Sequence, residues 1–137
     1  MLSISKLYLS SSTSTSLTVE NSEFVNNLAF NGAAINVNAD ANGKATYSIK
    51  NCTFIGNNAT GIGSPGTPSS GGAVFIARDT EGTVANSRFY NNTATLGGAI
   101  SISAAKNSLK ATVDNCVFEN NTAVGSVDSE AIGGAIR

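Results

Sequence analysis

Asn86-Ser-Arg-Phe89-Tyr-Asn-Asn92-Thr-Ala94-Thr-Leu-Gly97-Gly98-Ala99-Ile100 is the stretch that decides the fold. Its first half reads N-[SC]-x-F-x-x-N-x-A, and the chain holds three more ungapped copies: Asn21–Ala29 around Phe24 and Asn27, Asn51–Ala59 around Phe54 and Asn57, and Asn115–Ala123 around Phe118 and Asn121. The Phe residues are 30, 35 and 29 positions apart. Its second half, Gly-Gly-Ala-Ile, recurs as Gly71-Gly72-Ala-Val74 and Gly133-Gly134-Ala-Ile136, with Gly32-Ala-Ala-Ile35 as a degenerate copy. From Phe to the motif Ala the distances are 10, 19, 10 and 17 residues, so the second and fourth repeats carry insertions at one point. The longer insertion lies within Thr60–Ser70 and holds both prolines. Insertions confined to one point of a repeat map to loops on one side of a stacked array.

A third apolar stretch precedes each motif Asn: Leu17-Thr-Val19, Tyr47-Ser-Ile49, Val84 and Ala111-Thr-Val113. Local alternation has period two throughout, clearest in Ile35-Asn-Val37 and Ile100-Ser-Ile102, and no stretch shows the 3.6-residue period of a helix. Each repeat of about 29 residues therefore offers three short strands. The expected fold is all-β: a right-handed single-stranded parallel β-helix of about four to four and a half coils, three strands per coil. Each coil adds about 4.8 Å, giving a rod of roughly 20 Å. Coils are expected near 17–43, 44–80, 81–108 and 109–137, with 1–16 as a partial preceding coil and a Ser/Thr-rich connection. Leu7-Tyr-Leu9 sits where the third strand of that coil belongs, and the chain stops two residues into its last third strand. Both ends cut the array in mid-repeat, so a segment of a longer array is expected.

Composition agrees with a regular stack. Of 137 residues, 18 are Ser, 13 Thr, 17 Asn, 18 Ala and 14 Gly, and charged residues are 12%. That charged share is roughly half the usual one. With no His, His-based triads and His-ligated zinc or haem are excluded. A net charge of −1 carries no electrostatic footprint for nucleic acid or an anionic membrane. No stretch is apolar enough to span a membrane, so direct insertion by this segment is not expected, and residues 1–17 contain no signal-peptide run.

Each recurring position has a structural expectation. Phe24, Phe54, Phe89 and Phe118 should stack inside, and Phe→Ala in an inner coil should cost about 3–5 kcal/mol. Asn21, Asn51, Asn86 and Asn115, and likewise Asn27, Asn57, Asn92 and Asn121, should sit at turns and form amide ladders between coils. The pairs Gly71/Gly72, Gly97/Gly98 and Gly133/Gly134 should mark tight turns where backbone meets backbone. Cys52 and Cys116 share a slot with Ser22 and Ser87. They lie two coils, roughly 9–10 Å, apart, beyond the roughly 7 Å a disulfide allows, so two free buried thiols are expected. Sequons at Asn51, Asn58, Asn91 and Asn120 are no more numerous than composition predicts.

Outward positions are the candidates for contact. Val25, Ile55 and Tyr90 follow the Phe and should form an exposed apolar stripe broken by Glu119. Glu20 and Lys50 should be neighbours and pair. Asp40 and Asp79 each lie six residues past the motif Ala and would stack about 5 Å apart, the separation of a retaining glycosidase pair. They fall in variable loops, with no cationic or aromatic residues clustered nearby.

The fourfold Phe-x-x-Asn motif (Phe24/Asn27, Phe54/Asn57, Phe89/Asn92, Phe118/Asn121) alternates with Gly-Gly-Ala-[Ile/Val] at Gly71–Val74, Gly97–Ile100 and Gly133–Ile136. The alternation resembles the passenger repeats of chlamydial polymorphic outer-membrane proteins and related right-handed β-helix repeat proteins, over about residues 17–137. The resemblance implies an exported passenger at the cell surface, outer membrane or extracellular space, mediating adhesion and followed by an autotransporter barrel. The function expected is thus a non-enzymatic surface β-solenoid segment, acting in adhesion or as a spacer, without cofactor or metal. Its partners would be a host-cell or matrix receptor or a glycan, and end-to-end self-association is open to it. The alternative is a fragment of a pectin-lyase-like polysaccharide lyase or glycoside hydrolase, which would need clustered acids and a basic residue along one groove. Ice binding would need regular outward Thr rows, and only Thr60 and Thr95 align.

Overall fold

Each repeat lays down its strands in the same order, and each strand then pairs with its counterpart one repeat later. The computed structural model describes residues 7–11, 14–39, 43–60, 67–104, 109–125 and 130–137. Among these residues there is no helix, and every strand pairing is parallel.

The strands before the motif Asn, β2 (Thr15–Glu20), β5 (Ala45–Lys50), β8 (Thr80–Ala85) and β12 (Lys110–Asp114), form one sheet in that order. The Phe strands β3 (Glu23–Val25), β6 (Thr53–Ile55), β9 (Arg88–Tyr90) and β13 (Val117–Glu119) form a second. The strands after the Gly motif, β4 (Ile35–Ala39), β7 (Val74–Ala77) and β11 (Ile100–Ser103), join β1 (Leu7–Ser11) in a third, ordered β1-β4-β7-β11. The three strands expected per repeat are joined by a fourth parallel station. β10 (Thr93–Ala94) pairs with β14 (Thr122–Ala123), and single bridges Leu28–Asn58–Thr93 carry the same row backwards. The sequence hid this station because two residues are too few to show a period.

Three left-handed corners close each repeat. The first is the motif Asn, with φ of 51°, 52°, 51° and 48° at Asn21, Asn51, Asn86 and Asn115. The second is Asn26, Gly56, Asn91 or Asn120, and the third is the first motif glycine, Gly32, Gly71, Gly97 or Gly133. Asn and Gly tolerate this region at lower cost than other residues. One expectation is thereby corrected. Asn27, Asn57, Asn92 and Asn121 are not themselves the left-handed turn residues: the residue before each one turns the chain, which frees the next side chain to point inward.

The corners aim the alternating apolar residues at one interior. Phe24, Phe54 and Phe89 are fully buried with Ile35, Val37, Ile49, Val74, Ile76, Val84 and Ile100. The Phe rings stack face to face with centroids 5.0, 4.7 and 4.8 Å apart and planes within 8°. That spacing is the strand spacing, so the sheet register imposes the stacking. Phe118 takes its place in the stack but is only half-buried. The second glycine of the motif lets neighbouring repeats close up. A Cβ on Gly72 would meet the Gly98 carbonyl oxygen, and one on Gly98 would meet that of Gly134. A Cβ on Gly134 would make only an ordinary contact, with the Asn121 carbonyl oxygen at 3.5 Å.

Candidate contact surface

The inner row of recurring Asn spends its hydrogen bonds inside the stack, whereas the corner row Asn21, Asn51, Asn86 and Asn115 is exposed and forms, among the described residues, one amide link rather than the expected ladder, Asn115 Nδ2 to Asn86 Oδ1 at 2.7 Å. Asn27 Nδ2 donates to Asn57 Oδ1, Asn57 Nδ2 to Asn92 Oδ1 and Asn92 Nδ2 to Asn121 Oδ1, each at 2.9 Å. Each acceptor oxygen also takes the backbone N–H of the donating residue, at 3.0–3.1 Å. The second Nδ2 hydrogens of Asn57, Asn92 and Asn121 go to the Phe24, Phe54 and Phe89 carbonyls. Asn57 and Asn92 are fully buried with every amide group paired, which is what makes burying them tolerable.

The Ser/Cys slot does more than fill space. Ser22, Cys52, Ser87 and Cys116 each donate to the carbonyl two residues back, bracing the first corner. Ser87 Oγ also accepts the Cys52 N–H at 3.1 Å. Both thiols are free, and burial pushes both up in pKa. Cys52 is buried as expected, whereas Cys116, between β12 and β13, each the end strand of its sheet, is only half-buried.

Val25, Ile55 and Tyr90 are register neighbours across β3, β6 and β9, and all three are half-buried. The stripe is real as a row, but its exposure is partial. Leu28, beside the fourth pairing station, is the more open apolar side chain at 57% exposure. Glu20 and Lys50 are register neighbours, yet among the described residues the ion pair is Lys110–Glu81 at 3.2 Å, exposed on both sides. An exposed pair contributes under about 1 kcal/mol. Asp79 is described and half-buried, while Asp40 and residues 61–66 of the Thr60–Ser70 insertion lie outside the described residues. Among the described residues no three His, Cys, Asp or Glu side chains cluster as metal ligands. Among the described residues no helix is long and apolar enough to cross a membrane.

Sequence reasoning overlooked the outer face of the β1-β4-β7-β11 sheet. A cleft of about 450 Å³ opens there, lined by Asn31, Asn36, Asn38, Phe75, Arg78 and Ser103 together with Ala77. Asn36 and Phe75 are register neighbours in β4 and β7, as are Asn38 and Ala77. Asn36 is 8% exposed, its Nδ2 donates to the Asn31 carbonyl at 3.3 Å, and its Oδ1 is buried with no partner among the described residues. Asn38 Oδ1 is buried and unpaired in the same sense. Such an oxygen costs about 1–3 kcal/mol. Arg78 at the β7 end has φ of +58°, a conformation that costs a non-glycine residue about 1–2 kcal/mol. Its N–H donates to the Ser103 carbonyl at 3.0 Å and its own carbonyl accepts from Thr80 N–H at 2.8 Å, which holds the corner. The available signal was the polar half of the alternation Ile35-Asn36-Val37-Asn38, plus one aromatic at an outward position.

Phe89, Asn92, Gly97 and Gly98 thus carry the ring stack, the ladder, a left-handed corner and the closest backbone approach within one short segment. Residues 86–103 match the Chlamydia polymorphic membrane protein repeat. The match falls on the segment where both motifs stand at their shortest spacing. A second similarity comes from another kingdom: metabotropic glutamate receptor-like protein R of Dictyostelium discoideum is 36% identical over 111 residues. The match covers 80% of this chain and 6% of that protein, so the chain spans only a small part of its curated relative. No solved structure matches.

Proposed function

We propose that the chain is a right-handed parallel β-helix of about four to four and a half coils, near 17–43, 44–80, 81–108 and 109–137. In this reading it is a non-enzymatic, surface-exposed segment, acting in adhesion or as a structural spacer. The observation that carries the reading is the repeat match at residues 86–103, a repeat of a membrane-protein family. Physical chemistry supports the division of labour. The motif residues are consumed by stacking, ladders and corners, so contact with a partner falls to outward positions such as Val25, Ile55 and Tyr90, and to the inserted loops. The partner would be a cell-surface or matrix receptor or a glycan, met at the cell surface or outside the cell.

The test is a bead-binding assay. Beads coated with the chain should adhere to cells or to a glycan surface. A Val25→Thr/Ile55→Thr/Tyr90→Thr triple variant, with unchanged circular dichroism, should bind several-fold less. Beads that bind nothing would remove adhesion and leave the spacer role alone. A left-handed or non-helical strand path in a crystal structure would remove the architecture.

A further inference from the structure

Four Asn-x-Thr triplets begin at Asn51, Asn58, Asn91 and Asn120, and the stack treats them unequally. Asn51, Asn91 and Asn120 are exposed left-handed corners, with φ of 52°, 56° and 54°. The amide links between Asn side chains run along the inner row and between Asn86 and Asn115, and these three take part in none of them. Among the described residues their side chains bond to no other group either. Asn58 is different: it is half-buried, and its Oδ1 takes both the Thr60 N–H at 2.7 Å and the Thr60 hydroxyl at 2.5 Å. That triplet is folded back on itself. The Thr residues of the open triplets have no such duty. Thr93 and Thr122 share one register row with Leu28 and Asn58, so the scaffold does not demand a hydroxyl there. Asn91-Asn92-Thr93 and Asn120-Asn121-Thr122 divide their work in the same way. The first residue turns the chain outward, the second joins the inner ladder, and the third pairs in β10 or β14.

We propose that Asn51, Asn91 and Asn120 are attachment sites for N-linked sugar. In the transfer the Asn Nδ2 attacks the anomeric carbon of a sugar-diphosphate donor. A C–N bond forms there, the C–O bond to phosphate breaks, the diphosphate leaves with the electron pair, and one amide proton passes to a base on the transferase. The number of triplets is what composition gives; their placement carries the inference. A sugar on any of the three corners projects into solvent and breaks no hydrogen bond of the stack. Asn58 offers instead an amide held within its own turn. Asn91 and Asn120 occupy the same corner in adjacent repeats, one strand spacing or about 4.8 Å apart, and the Asn91 N–H donates to the Glu119 carbonyl at 3.1 Å. Sugars on both stand side by side. Asn91 directly follows Tyr90, the last member of the apolar row Val25, Ile55 and Tyr90, so its sugar flanks the proposed contact row. The inference rests on the surface reading only in that the chain meets a transferase on its way out; the choice of sites rests on the corners.

The test is to secrete the 137-residue chain from cultured eukaryotic cells behind a cleavable export signal. Digestion with a peptide N-glycosidase in heavy-oxygen water then marks each Asn that carried sugar, and peptide mass spectrometry reads the marks. Asn51, Asn91 and Asn120 should be marked on most molecules and Asn58 on few. Thr93→Val and Thr122→Val keep the corner Asn and a β-branched side chain in the strand. Each should delete one glycan and leave the circular dichroism unchanged. A folded, secreted chain from which the glycosidase removes no mass would overturn the proposal. So would Asn58 marked as often as Asn91, or a Thr→Val variant that keeps its glycan. A chain retained in the cell while the Thr53→Val/Thr93→Val/Thr122→Val variant is exported would overturn it too, because sugar at these corners would then obstruct the fold. Sugar at all three corners on a chain whose beads bind nothing would keep the sites and remove adhesion. Adhesion by a secreted chain that carries no sugar would do the reverse.

Discussion

Replacing single rungs of the interior amide ladder should cost very different amounts, because the ladder runs one way. Asn92 donates to Asn121 Oδ1 and the Phe54 carbonyl, and its own oxygen accepts from both the backbone N–H and Nδ2 of Asn57. Asn92→Ala therefore strands two buried donors of Asn57 and removes the donor to two acceptors. At about 1–3 kcal/mol per stranded buried group, the cost is about 3–6 kcal/mol. Asn27 makes the same donation to Asn57 Oδ1, but among the described residues no group donates to its own oxygen. Asn27→Ala keeps the backbone N–H of residue 27 on Asn57 Oδ1 and strands no donor, so it should cost about 1 kcal/mol. Asn121→Ala strands the N–H and Nδ2 of Asn92, and should resemble Asn92→Ala more than Asn27→Ala. Urea unfolding followed by circular dichroism gives the order. Hydrogen exchange gives the site: the Asn57 amide should lose protection in Asn92→Ala and keep it in Asn27→Ala. Equal costs at 27 and 92, or an Asn57 amide that stays protected without Asn92, would refute the account.

Three further outcomes are expected. Gly98→Ala drives a Cβ into the Gly134 carbonyl and to 2.6 Å from Thr122 backbone atoms, so it should destabilise by about 3 kcal/mol or more, whereas Gly134→Ala should be far milder; thermal melts compare the two. Burial pushes the Tyr47 hydroxyl from 10.0 up to about 12, so the folded protein keeps that proton where the unfolded chain loses it. Its contribution is complete below pH 10 and is lost as the pH rises towards 12, about 1–2 kcal/mol after solvent screening. Tyr47 Oη has no partner among the described residues, so Tyr47→Phe should flatten that alkaline loss and leave neutral stability equal or higher. In thiol labelling, Cys116 should react first and Cys52 only on unfolding, with no disulfide formed under oxidation; equal rates would contradict their difference in burial.

The interior was legible in the sequence because it is built from fixed spacings. One Phe per repeat had to stack once the strands were parallel, and the ladder at Asn27, Asn57, Asn92 and Asn121 followed from their equal distance to it. Which of two adjacent residues would turn and which would point inward was not legible. In Asn26-Asn27 and Asn91-Asn92 the pair is the same residue type, and only the φ of the first decides the direction of the second. The slot shared by Ser22 and Cys52 looked like core filling because both are small; its bond to the carbonyl two residues back depends on a corner that spacing alone does not draw. The outer cleft was harder still. The alternation gave Asn36 and Asn38 as outward and polar, which reads as solvated, and spacing alone does not show that their amide oxygens are buried.

The one-way run of the ladder gives the stack an electrical direction. Backbone bonds between repeats point both ways along the axis: Asn21 N–H donates forward to the Lys50 carbonyl and Thr53 N–H donates backward to the Ser22 carbonyl. Their dipoles largely cancel, as in any sheet. The three amide links among Asn27, Asn57, Asn92 and Asn121 do not cancel, since each Nδ2 faces the later repeat. Each link also polarises the next, so the row strengthens with length. Among the described residues the row accordingly begins on an acceptor oxygen at Asn27 and ends on a donor amide at Asn121. Any repeat stacked beyond Asn121 must therefore present an acceptor to the row, and any repeat before Asn27 a donor.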